Sequence, residues 1–166
     1  DWSSDVCSSD LGREARYGEG IFVGYRWYDK RAIEPAFPFG HGLSYASFAY
    51  EDLRAPALVR LGEPVRVSVT VRNTGDRPGK EVVQLYLRDE KSTLPRPLKE
   101  LKGFAKISLA PGEAATVDFL LDQRALSYYD PYRREWTAEP GRFEVLVGSS
   151  SRDIKARAGF ALAPEA

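Results

Sequence analysis

His41 is the only histidine of the chain, and it lies in "FPFGHGLSY" (residues 37–45) with Ser44 just after it and Asp29 and Glu34 a little upstream. These are the residue types of a nucleophilic triad, in which a hydroxyl attacks, an imidazole takes its proton and an acid orients the imidazole. Closeness in sequence is not the geometry that a triad requires, so the better reading of His41 is a residue that ties down a Gly-flanked turn by hydrogen bonding. A metal site is not expected, because His41 has no second histidine beside it and Cys7 is the only cysteine. The lone cysteine also rules out an internal disulfide. The stretch "GREARYGEG" has neither the spacing nor the Lys-Ser/Thr ending of a phosphate-binding loop, so no cofactor is expected either.

Two carboxylates facing each other across a bond would be a second kind of chemistry, needing a separation of about 5–9.5 Å. With 24 acidic residues, chance pairs are abundant, and Asp29 and Glu34 are read as solvated surface charge. Exposed rings would be a third, as platforms for the apolar faces of sugars. Trp27, Tyr28, Tyr128, Tyr129, Tyr132 and Trp136 are the nominees. Packing in a core or an interface is the favoured reading for them, with Tyr132 and Trp136 kept as sugar contacts.

The balance of 24 basic and 24 acidic side chains gives no electrostatic footprint for nucleic acid or an anionic membrane. No apolar run approaches the roughly 18–20 residues that span a bilayer. Asn73, the only asparagine, precedes Thr74 and Gly75 and is not a glycosylation acceptor, so nothing here assigns a compartment.

The elements that would position these residues are mostly strands. In "PVRVSVTVRN" Val65, Val67, Val69 and Val71 alternate with Arg66, Ser68, Thr70 and Arg72, the period of a half-buried strand. A turn-rich "NTGDRPGK" leads into "EVVQLYLRD", with Val83, Leu85 and Leu87 on one face. "KSTLPRP" is read as an exposed excursion, followed in "KELKGFAKISL" by a weaker strand anchored by Leu101, Phe104 and Ile107. Further alternation passes through Val117, Phe119 and Leu121, then Phe143, Val145 and Val147, then Ile154, Ala156, Ala158 and Phe160. Between them, "ALSYYDPYRREWTAEPG" is read as a strand, a bend and an aromatic return. About seven strands and no convincing amphipathic helix predict an all-β fold, an antiparallel sandwich of immunoglobulin or fibronectin III type over residues 47–162. Residues 13–46 have no period apart from a candidate strand in "GIFVGYRWYD" and are read as an irregular connector that lay against another domain.

The segment "YGEGIFVGYRWYDKRAIEPAFPFGHGLSYASFAY" resembles the junction near the C-terminus of family 3 glycoside hydrolases, the β-glucosidase and β-xylosidase group. "VSVTVRNTGDRPGKEVVQLYL", "RPLKELKGFAKISLAPGE" and "WTAEPGRFEVLVGSSS" continue the likeness into that group's fibronectin III-like domain. The resemblance implies a fragment: the tail of an α/β sandwich domain with its connector over 13–46, the fibronectin III-like domain over 47–162 and a short tail over 163–166. It places both catalytic carboxylates upstream, so the fragment is expected to have no catalytic residues and to be inactive alone. Its partners would be the upstream catalytic domains of the same parent chain, and the parent would act on a β-linked glycoside. Tyr25, Trp27, Tyr28, Phe37, Phe39, His41 and Tyr45 would then pack between domains, making "FPFGHGLSY" a joint. The alternative is a sandwich module that binds carbohydrate or a cell surface. Asp1-Trp2 is similar to the family's nucleophile context but stands too near the junction to be it. The opening "DWSSDVCSSDL" resembles translated adapter sequence, and residues 1–12 are expected to be a disordered, non-native extension.

Overall fold

The computed structural model describes residues 18–164. The expectation of disorder over residues 1–12, with Asp1, Trp2 and Cys7, lies outside the described residues.

Alternation of valines with polar residues makes β3 (Val65–Asn73) the central strand of one sheet, with Val65, Val67, Val69 and Val71 wholly buried. It pairs antiparallel with β1 (Phe48–Arg54) on one side and β6 (Ala114–Leu121) on the other. A five-stranded sheet faces it, in the order β2 (Leu58–Arg60), β10 (Ile154–Ala163), β9 (Gly141–Gly148), β4 (Gly79–Asp89), β5 (Glu100–Leu109). All its ladders are antiparallel except the parallel pairing of β2 with β10. The core fills the space between the sheets, where Val117, Phe119 and Leu121 meet Val83, Leu85, Leu87, Val145, Val147 and Phe160. Each such side chain contributes about 1.5–3 kcal/mol by leaving water. This is the expected all-β sandwich, and β10 carries it to Ala163.

The single asparagine closes one end of the sandwich. The Asn73 side chain is completely buried, donates to the carbonyls of Arg77 and Leu109 at 2.8 and 3.1 Å, and accepts from the Gly75 N–H at 2.9 Å. It satisfies the backbone where a loop leaves the ladder, a need that no apolar residue could meet.

Several expectations are corrected. Among the described residues there are ten strands rather than about seven: β7 (Tyr128–Asp130) and β8 (Glu135–Thr137) are the strand and return read in "ALSYYDPYRREWTAEPG", and β2 has only three residues, too few to show a period. Helix is present too: α1 (Tyr25–Arg31) replaces the strand expected in "GIFVGYRWYD", and one turn, α2 (Gln123–Leu126), precedes the β7–β8 hairpin. The helix α1 is bracketed by positive φ at Gly24 (60°) and Ala32 (53°), and seven residues are too few to advertise a 3.6-residue repeat. β5 is a full ten-residue strand, secured by its long ladder with β4. Phe104 is not one of its core anchors and is 70% exposed. The inward places next to Phe104 belong to Gly103 and Ala105, in step with Ile107, and a bulge opposite Leu85 and Tyr86 sets Leu101 against the outward Tyr86, so of the three expected anchors only Ile107 packs on the core. A Cβ on Gly103 would come within 2.8 Å of the Phe119 ring, so that place has no room for a large side chain.

Candidate functional site

β4 is buried on both faces. Val83, Leu85 and Leu87 point into the core, as alternation requires, but Gln84 and Tyr86 on the opposite face are buried as well. The cover is α1 and the connector that follows it. Tyr25 stacks on Phe39, with ring centroids 5.0 Å apart, and meets Tyr86 edge-on at 5.9 Å. Its hydroxyl accepts the Leu101 N–H at 2.9 Å, which satisfies a donor of β5. Below these rings the Tyr86 hydroxyl donates to Gln84 Oε1 at 2.6 Å, while Gln84 Nε2 donates to the carbonyls of Gly40 and Ser149. Burial pushes the Tyr86 phenol above its ordinary range, helped by the nearby Tyr25 and Asp29, so the ring stays neutral.

The second fastening is ionic. Asp29, the buried residue of α1, is held by Lys99 Nζ on one oxygen and by Arg152 Nε at 3.1 Å on the other. Arg152 also reaches the Ile33 carbonyl at 3.0 Å and lies 3.9 Å from the Glu34 carboxylate. A buried carboxylate between two cations is a costly group that must be met on all sides, so the docking has one register.

Asp29 is therefore not the solvated surface charge expected but a buried, paired one, while Glu34 is exposed as expected and shares Arg152 with it. Nor do the triad nominees assemble. The Ser44 hydroxyl accepts the Ala46 N–H at 3.2 Å, and Asp29 is occupied by its cations. The turn at His41 is closed by its main chain, with its N–H donating to the Pro38 carbonyl at 2.9 Å, while the imidazole rests against Phe37 at 5.7 Å. Among the described residues, no three His, Cys, Asp or Glu side chains converge as metal ligands, and no helix is long and apolar enough to cross a membrane.

The nominated joint residues divide into two sets. Tyr25 and Phe39 face the sandwich, and Trp27 and Tyr28 are half-buried on α1, with the Arg31 guanidinium 4.6 Å from the Trp27 ring centre. Phe37, Leu43 and Tyr45 stand out into solvent, Tyr45 at 94% exposure. Of the nominated sugar contacts, Tyr132 is exposed at the hairpin tip, while Trp136 packs against Tyr129 at 5.4 Å and carries the Arg124 guanidinium over its ring. The partners that sequence reading missed are Gln84, Tyr86, Lys99 and Arg152. One signal was available: "VVQLYL" is too apolar on both parities for a strand with one wet face.

A model of the fibronectin type III-like domain matches residues 81–151. The chain is 54% identical over 139 residues to thermostable beta-glucosidase B of Acetivibrio thermocellus, a match covering 83% of this chain and 18% of that protein. It is 46% identical over 154 residues to probable beta-glucosidase H of Emericella nidulans, covering 92% of this chain and 18% of the relative. Among solved structures, beta-glucosidase 3B from Thermotoga neapolitana, in complex with alpha-D-glucose, superimposes with a TM-score of 0.86 at 41% identity, over 96% of this chain and 22% of that one. The GH3 beta-glucosidase of Bifidobacterium adolescentis does so with a TM-score of 0.84 at 44% identity, over 88% and 21%. The chain thus spans 18% of the length of the curated relatives it matches. Since those matches take in most of the described connector as well as the sandwich, the chain corresponds to a C-terminal part of family 3 beta-glucosidases, the part that carries a fibronectin type III-like domain.

Proposed function

We propose that the chain is the accessory module of a retaining β-glucosidase-type hydrolase, and that it steadies and positions the catalytic domains of its parent without contributing a catalytic residue. The observation that carries this reading is the two-sided connector. One side is fastened to the sandwich through Tyr25, Asp29 and Phe39, while the other presents Phe37, Leu43 and Tyr45 to water. Exposed rings on an ordered, firmly held segment are costly unless something covers them. The upstream domains of the parent fit that need, and the parent's substrate would be a β-linked glucoside, cleaved by two carboxylates borne upstream.

The test uses the 166-residue chain and the full-length parent recovered from the source DNA. The chain alone leaves an aryl β-glucoside intact, while the parent hydrolyses it. In the parent, replacing Phe37 and Tyr45 together by Ser lowers the midpoint of thermal unfolding. Turnover by the chain freed of contaminating hydrolase, or a parent indifferent to the double replacement, would overturn the reading.

A further inference from the structure

We propose that Phe104 of β5 belongs to the same docking face as the exposed connector rings, as the contribution of the sandwich itself, and that its occupant is the upstream part of the parent polypeptide. This inference rests on the domain-placement reading above. Phe104 lies opposite Gln84 in the β4–β5 ladder, and residues directly opposite point to the same face of a sheet. That face is the one the connector crosses, since Gln84 Nε2 donates to the Gly40 carbonyl at 3.3 Å and Gly40 directly follows Phe39. Phe104 therefore stands on the face of the sheet that the connector covers, opposite the Gln84 buried beneath it, and the connector's own outer side exposes Phe37 and Leu43.

Two features separate Phe104 from an ordinary exposed apolar residue. It sits on a ten-residue edge strand, where a large outward ring invites unwanted strand pairing unless it is covered. Its exposed outward neighbours Lys106 and Ser108 are polar, Lys106 being of the kind that protects such an edge, which leaves the ring as the exception. Leu120 on β6 provides the contrast, because it is 62% exposed but stands on the outward face of the other sheet, beside Thr116 and Asp118. The occupant is argued from length and continuity. The curated relatives are more than five times as long as the part this chain matches, and the exposed ring shares its sheet face with Gln84, which the connector covers.

The experiment compares thermal unfolding of the full-length parent and of the 166-residue chain. Phe104→Ser lowers the parent midpoint by about 2–4 °C and moves that of the chain by much less. Leu120→Ser moves neither. Equal shifts in parent and chain, or no shift in the parent, would overturn the inference. Sedimentation of the chain tests the other occupant: a self-associating chain that Phe104→Ser makes monomeric, with the parent unaffected, means that a second copy covers the ring. The Phe37→Ser, Tyr45→Ser pair distinguishes the two levels of the proposal. If that pair destabilises the parent and Phe104→Ser does not, only the footprint is wrong; if neither does, domain placement fails as well.

Discussion

The outward faces of the two sheets are built from strands of the same period but serve different surroundings. On the three-stranded sheet the outward positions are Arg66, Ser68, Thr70 and Arg72 on β3, with Thr116 and Asp118 on β6. Their interactions are loose, such as Thr70 Oγ1 to Thr116 Oγ1 at 3.4 Å, or Arg72 to Glu51 at 3.6 Å with both side chains more than 40% exposed. Such pairs contribute about 0–1 kcal/mol. On the five-stranded sheet, Gln84 and Tyr86 are sealed beneath α1 and the connector, and each polar atom described there has a named partner. A polar outward residue can therefore be written for water or for another stretch of chain. What separates the two is the cover laid over the side chain and the completeness of its hydrogen bonding.

The most severe way to break this contrast is to truncate one residue on each face. Tyr86→Ala opens a cavity and strips Gln84 Oε1 of its donor, for an expected loss of about 3–5 kcal/mol in urea unfolding. Thr70→Ala stays within about 0.5 kcal/mol. Similar losses at the two positions would erase the distinction. Next in size is Asp29→Ala, which leaves Lys99 and Arg152 without their shared carboxylate and costs about 2 kcal/mol, less than a deeply buried pair because both cations keep some access to water. Trypsin should then cut at Arg31 well before it attacks the sandwich. Simultaneous loss of both would show that connector and sheet unfold as one unit.

The finest version of the contrast concerns two carboxylates near the rims of the core. Burial opposes the charge of Glu100, but Lys102 at 2.6 Å and Arg96 at 3.1 Å outweigh it and hold the group below its usual range. Burial prevails at Glu81, whose Tyr50 hydroxyl donor at 3.2 Å is not enough, and its carboxyl is raised. By linkage, the stability due to Glu100 is present above the ordinary carboxylate value and is lost as the pH falls through its depressed one. The stability due to Glu81 is present below the ordinary value and is lost as the pH rises through its raised one. Glu100→Gln is therefore expected to destabilise at pH 7, with the deficit closing in acid. Glu81→Gln is expected to stabilise slightly at pH 7, with the gain closing in acid. Unfolding midpoints measured from pH 3 to pH 7 check both signs.

The sandwich was legible because four valines in strict alternation leave a strand few alternatives, and the same logic located β4, β6, β9 and β10. Legibility failed where an element was too short to show a period, as in α1 and β2. It failed at Phe104 because hydrophobicity marks a residue for burial without saying by what, and strand parity sends this one outward. The connector was recognisable as an irregular segment from its prolines, glycines and rings. Its fastening was not, because Asp29 finds Lys99 seventy residues away, a pairing that no local pattern encodes.

The grip of α1 also decides how the module takes a mechanical load. The chain reaches β1, an edge strand zipped to β3 alone, only after it has passed over the five-stranded sheet. Tension transmitted straight into Phe48 would peel β1 away one rung at a time. With Tyr25 seated on Tyr86 of the inner strand β4 and Asp29 clasped by Lys99 just before β5 and Arg152 between β9 and β10, a tug on the connector would be met first by the five-stranded sheet. The helix would thus take such a load as strain relief before it reached the weakest seam of the sandwich.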